Sequence, residues 1–159
     1  DRKPVDPPPI IELTINGNNS SSNNNHLHDR FFFMCATLHE PDRDRSVNMR
    51  ACDSMAGTLV SSLHRVHLDH NSNSNNASST NVFVFGDLSI KIEGRFRLRF
   101  CLFETMPDHD GHGAATFVSA VVSDVVTVHS ARTFPGVLES TKLSRMLSDQ
   151  GVRLRLRSD

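Results

Sequence analysis

The chain contains no tryptophan and no tyrosine; its aromatic side chains are ten phenylalanines. Most of them fall at core spacing inside apolar runs. That argues against base stacking on exposed aromatics, the usual device of single-strand and RNA binders. Cysteine is scarce: Cys35, Cys52 and Cys101 do not suggest a disulfide framework. Cys35 and Cys101 sit in strand-like runs and read as buried free thiols, which favours a reducing compartment, cytoplasm or nucleus. No apolar run reaches the ~18 residues of a membrane span, and the opening residues do not resemble a signal peptide. The chain opens on Asp1 and stops soon after a strand-like segment, which reads as a piece of something longer.

Catalytic signatures are also missing. There is no glycine-rich phosphate loop, Rossmann fingerprint, HExxH or paired CxxC. Asp108-His109-Asp110 offers acid–base groups, but no nucleophile or oxyanion device accompanies them, so the reading is not an enzyme. Histidines are plentiful: His26, His28, His64, His67, His70, His109 and His112 invite a metal hypothesis. A zinc site needs three or four ligands converging from well-held elements, and most of these lie in polar loops. The reading is no metal and no cofactor. Excess charge of one sign is lacking as well, with a net charge of −1. From Asn81 onward there are ten Lys/Arg against nine Asp/Glu. A nucleic-acid partner therefore requires a local basic patch.

What is present is period-two alternation. At 159 residues the chain fits one domain with one real core. Pro4, Pro7, Pro8 and Pro9 fix an extended entry. Ile11, Leu13 and Ile15 alternate with Glu12 and Thr14, predicting a half-buried strand. Phe31 to Leu38 is a continuous apolar run, which predicts a central strand covered on both faces. Asn- and Ser-rich tracts at about 16–25 and 71–81 read as polar loop insertions. Phe96, Leu98 and Phe100 alternate with Arg95, Arg97 and Arg99 after Gly94, a candidate bend. Phe117 to Ala131 gives two strand-like runs broken at Ser123-Asp124. One short helix is expected, N-capped near Ser140, burying Leu143, Met146 and Leu147 and ended by Gly151. The sum is a mainly β sandwich with a short C-terminal helix.

Several basic groups are candidates for phosphate contact. Arg95, Arg97 and Arg99 form a ladder on one strand face, as do Arg153, Arg155 and Arg157 near the end. Each ladder reads first as a solvated face with acidic partners (Glu93 or Glu104 for the Arg95 ladder) and second as a phosphate track. Arg43, Arg45 and Arg50 are interspersed with Glu40, Asp42 and Asp44, a pattern of local salt bridges. Arg2 and Lys3 precede the proline-locked entry, and Arg132, Lys142 and Arg145 flank a proline turn and the helix.

Three stretches go further. They are Asp1-Arg2-Lys3-Pro4-Val5-Asp6-Pro7-Pro8-Pro9-Ile10, then Phe83-Val84-Phe85-Gly86-Asp87-Leu88-Ser89-Ile90 running on to Glu93-Gly94-Arg95-Phe96-Arg97-Leu98-Arg99-Phe100. The third is Phe134-Pro135-Gly136-Val137-Leu138-Glu139-Ser140-Thr141-Lys142-Leu143, continuing from Ser148-Asp149-Gln150-Gly151 to Arg157. In order and content the chain resembles the fungal velvet domain. The resemblance implies a single velvet domain over 1–159, an immunoglobulin-like β sandwich similar to Rel homology domains. It implies a nuclear regulator, shuttling with the cytoplasm, of development, sporulation and secondary metabolism. Expected partners are double-stranded DNA and other velvet-domain proteins, as homo- or heterodimer, and for some members a methyltransferase-like regulator; no membrane is implied. The family carries DNA-contacting basic residues in its N-terminal motif, here Arg2 and Lys3; Arg132, Lys142 and Arg145 are candidates by their position alone, for a phosphate or for a partner subunit. The alternative is an interaction module that binds DNA only through a partner.

Overall fold

The structure, a computed structural model, describes residues 4–15, 31–68, 79–106 and 113–157. Its spine is an antiparallel pair, β2 (Phe31–His39) and β8 (Gly94–Met106), registered from Phe31↔Thr105 to His39↔Arg97. The alternation in β8 does what the sequence predicts. Leu98, Phe100 and Leu102 are buried on one face, while Arg95 and Arg97 are exposed on the other. β4 (Val60–Ser62) extends the sheet beyond β2, and β9 (Ala114–Val122) and β10 (Val126–Val128) pair with β8.

The break at Ser123-Asp124 is a bulge. Residues 123–125 face only 97–98, since Val122 pairs with Arg99 and Val126 with Phe96. Ser123 holds it by donating its N–H to Leu98 O (2.8 Å) and accepting the Leu98 N–H on Oγ (3.0 Å). Gly94, at φ +139°, makes the predicted bend, and a Cβ there would meet the Phe96 ring at 3.1 Å.

The second sheet runs β1 (Ile10–Leu13), β6 (Ser79–Val84), β5 (His64–His67), all antiparallel. The second half of β6, Val82 to Val84, is apolar on both sides and buried on both. Phe83 faces the main core with Met34, Phe100 and Leu102, while Val82 and Val84 pack with Val66, Leu147 and Val152. Leu147 comes from the helix α2 (Lys142–Asp149), so α2 covers the second sheet on its far side. Ser61 Oγ accepts the Val84 N–H at 3.0 Å and ties β4 to β6. The turn after β6 is pinned by α1 (Ala51–Ser54) and the two-residue pair β3 (Met55–Ala56) with β7 (Ser89–Ile90). The fold is a mainly β sandwich with one short C-terminal helix.

Some expectations need correction. Phe31 to Leu38 is central in its sheet but covered on one face only: Phe32, Met34, Ala36 and Leu38 are buried, whereas Phe31 is 65% exposed. The polar tract read as loop to residue 81 is already strand from Ser79, where Ser79, Thr80 and Asn81 pair with His67, Val66 and Arg65. The helix N-cap is Thr141, whose Oγ1 accepts the Ser144 N–H at 3.1 Å. Its buried side is Ser144 and Leu147, with Met146 half-buried, while Leu143 faces outward. Gly151 ends it as expected, at φ +87°. The Gly151 N–H donates to Ser148 O and the Val152 N–H to Leu147 O, the paired bonds of a Schellman stop. Residues 152–157 join no ladder among the described residues, so the basic segment is irregular chain and not a strand. Residues 16–25 and most of 71–81 lie outside the described residues.

Candidate nucleic-acid interface

The N-terminal and C-terminal segments meet along one edge. The Val5 N–H donates to Leu88 O (2.7 Å) and the Phe85 N–H to Pro9 O (3.0 Å), which lays residues 4–9 against the turn at Gly86-Asp87. The last segment crosses the same turn so closely that a Cβ on Gly86 would sit 2.5 Å from Arg153 O. Asp6 then joins the two ends. Its Oδ2 takes an ion pair from the Arg157 guanidinium and the Leu138 N–H at 3.4 Å. The Arg157 N–H donates to Ser140 Oγ at 2.8 Å, so the stretch leading into α2 joins the edge as well.

Arg2 and Lys3 lie outside the described residues; Pro4, the next residue, begins this anchored segment. Lys142 opens α2 in solvent, with no ion pair among the described residues. Arg145 is spent locally: its guanidinium pairs with Glu139 and donates to Ser140 O at 3.3 Å. Arg132 stands exposed on the 131–133 turn, and no contact among the described residues ties it to the edge. Of the terminal ladder, Arg155 lies 3.6 Å from Asp87 and Arg157 is taken by Asp6, while Arg153 is exposed. The edge therefore alternates engaged and open cations. Asp6 and Gln150 are the residues that sequence reasoning missed. Gln150 donates to His67 O (2.8 Å) and accepts the His67 N–H (2.7 Å), docking the helix end on edge strand β5 like one more rung. Local alternation gives no signal for either contact, because each joins residues more than eighty positions apart.

The strand ladder is a different surface. Arg99 is held by Asp44 at 2.7 Å, with Asp44 reaching in from the loop after β2, in place of the expected Glu93 or Glu104. Glu104 has the opposite parity on β8 and is buried on the inner face. His39 Nδ1 lies 3.0 Å from the same Asp44, an ion-pair distance without hydrogen-bond geometry. Arg45 reaches Glu40 at 4.0 Å and Arg50 reaches Asp53 at 2.8 Å, the local pairing their mixed charges suggested.

A cleft of about 550 Å³ opens between β1 and β9, lined chiefly by apolar side chains such as Ile11, Leu13, Phe32 and Val121. Its one charged lining residue, Glu12, has no catalytic partner among the others. Among the described residues no three His, Cys, Asp or Glu side chains converge, and no helix is long and apolar enough to cross a membrane. His26, His28, His70 and the Asp108–His112 loop lie outside the described residues.

Comparison with known proteins matches the sequence to a family. The velvet factor family model matches residues 1–81 and 48–159, together the whole chain. A spore development regulator of Ajellomyces capsulatus is 43% identical over all of this chain and 38% of its own length. A spore development regulator of Pyricularia oryzae is 44% identical over all of this chain and 29% of its own length. A developmental and secondary metabolism regulator of Cochliobolus heterostrophus is 36% identical over all of this chain and 28% of its own length. The chain thus spans between about a quarter and two fifths of these three relatives. With its full length matched by the family model, the chain belongs to the velvet factor family.

Proposed function

We propose that this domain binds double-stranded DNA along the edge where its two ends meet, as part of a nuclear regulator of fungal development, sporulation and secondary metabolism. The regulatory half of this reading rests on the names of its relatives. The DNA half rests on one observation: the Asp6–Arg157 pair fixes the segment that follows Arg2 and Lys3 beside the basic C-terminal segment. A basic pair next to a rigid mount is a phosphate anchor, which positions a duplex without reading its sequence. Lys142 and Arg153 are exposed cations of the flanking segments that extend it, and exposed Arg132 on the 131–133 turn is a separate candidate contact. Arg145, already paired, is a supporting residue of the same stretch.

Dimerisation with a second velvet-domain protein completes the proposal and sets half-site spacing. Val137, Leu138 and Leu143 are exposed beside the Phe134-Pro135-Gly136 turn and offer an apolar patch for it. The second reading, a module that reaches DNA only through its partner, is favoured by the near-neutral charge and by the acids that occupy Arg145, Arg155 and Arg157. A fluorescence-anisotropy titration against a pool of random duplexes at two salt concentrations separates them. Direct binding gives salt-sensitive affinity from this chain alone; binding seen only after a partner velvet protein is added supports the module.

A further inference from the structure

Cys35 on β2 and Cys101 on β8 are direct partners in the antiparallel ladder. Directly opposed residues share a face, with Cα atoms about 4.5 or 5.5 Å apart according to pair type. The Ala36 N–H donates to Leu59 O and the Ser123 N–H to Leu98 O, both away from the shared ladder, so Cys35 and Cys101 form a hydrogen-bonded pair. Its Cα separation of about 5.5 Å lies within the roughly 4.4–6.8 Å a disulfide spans, while its Cβ atoms must draw together to about 4 Å. Both thiols are free and half-buried on the outer face of the sheet. Two neighbours give the pair its character. One same-face step along the ladder, Phe33 and Phe103 stack with centroids 5.2 Å apart and planes at 12°, which holds the two strands in register beside the sulfurs. On the other side stands Arg99. Its hydrogen bonds to Asp44 first, and then to the Cys101 side chain, raise it above the ordinary guanidinium value. Cys35 is pushed up by burial and, secondarily, by the nearness of Cys101.

We infer that Cys35 and Cys101 form a redox-modification site, a dithiol that a hydroperoxide converts to a cross-strand disulfide by a local approach of the two strands with their register kept. The roles follow from the surroundings. Burial disfavours the Cys35 thiolate, so Cys101 sulfur attacks the peroxide oxygen; the O–O bond breaks and the first water (or alcohol) departs. The resulting sulfenic acid is then attacked by Cys35 sulfur, whose proton leaves with the hydroxyl as a second water. Both sulfurs are oxidised by one electron each, and the peroxide takes up the two electrons. A dithiol reductant reverses the change by thiol–disulfide exchange. The product staples the two spine strands and removes a thiol from contact with Arg99, on a face separate from the proposed DNA edge. Cys52, exposed on α1, has no such partner among the described residues.

The test is thiol counting on folded protein after equimolar hydrogen peroxide, followed by alkylation and peptide mass mapping. In the unsubstituted chain, two of the three thiols should vanish together, leaving Cys52. The peptides bearing Cys35 and Cys101 should then run as one linked species that dithiothreitol separates. The Cys52→Ser protein should lose both of its thiols and still run as a single chain on non-reducing denaturing gels. Phenylarsine oxide, which needs two adjacent sulfurs, should protect Cys35 and Cys101 from alkylation at one equivalent per chain. Independent oxidation of the two to sulfinic or sulfonic acid, disulfides joining two chains, or persistent alkylation of both overturns the inference.

Discussion

The carboxylate of Asp6 and the guanidinium of Arg157, 151 residues apart in sequence, form an ion pair in which both side chains are about three-quarters buried. The pair closes the chain end to end and gives the proline-rich entry a fixed place. It sits where Arg155–Asp87, Arg157–Ser140 and Asp6–Leu138 also meet, so several contacts depend on it.

Asp6→Ala should therefore destabilise the domain by about 1–3 kcal/mol, the cost of leaving a largely buried guanidinium and an amide without their acceptor. Urea melts followed by circular dichroism measure it. The same variant should weaken duplex binding by more than its stability loss explains, because the anchor segment is released. Unchanged stability would mean that the pair is replaced by solvent at no cost.

Gly86 is a close-approach glycine. Gly86→Ala drives a methyl group to within 2.5 Å of a backbone oxygen, which no rotamer can relieve. The loss should be about 1–3 kcal/mol, and it should appear as loosening of residues 152–157 in hydrogen exchange. A Tm equal to that of the parent protein would place the C-terminal segment elsewhere.

Phe100 is 4% exposed and packs its ring 5.1 Å from that of Phe85. Phe100→Ala should cost about 3–5 kcal/mol in chemical denaturation. A loss well under 1 kcal/mol would reverse the assignment of faces on β8. Thr141→Ala removes the side-chain acceptor at the start of α2 and should cost about 1 kcal/mol in the same denaturation measurement.

How much of this is legible in the sequence follows from the range of each contact. Local periodicity places β8, the β9–β10 break and α2, because two-residue alternation and capping residues act within a few positions. It fails where a neighbouring layer decides. Phe31 to Leu38 and Val82 to Phe85 are both unbroken apolar runs, yet only the second is covered on both sides, by α2 and residues 152–157. Helical spacing puts Leu143 on the buried face, but a helix of eight residues packing through Ser144 and Leu147 turns it outward. At the candidate site, the basic side chains are all visible as residue types. Which of them are neutralised is not, since Asp44, Asp87 and Asp6 each reach their arginines across dozens of positions.

The measurement that bears most directly on a DNA interface at this edge is the slope of log affinity against log salt, taken for the parent chain and for the Arg2→Ala, Lys3→Ala double variant on the same duplex. Each lost phosphate contact lowers the slope by about 0.9, so the variant should be shallower by about 2. Its unfolding free energy should be unchanged. Equal slopes and equal affinities for the two proteins would contradict a DNA interface at the end-to-end edge.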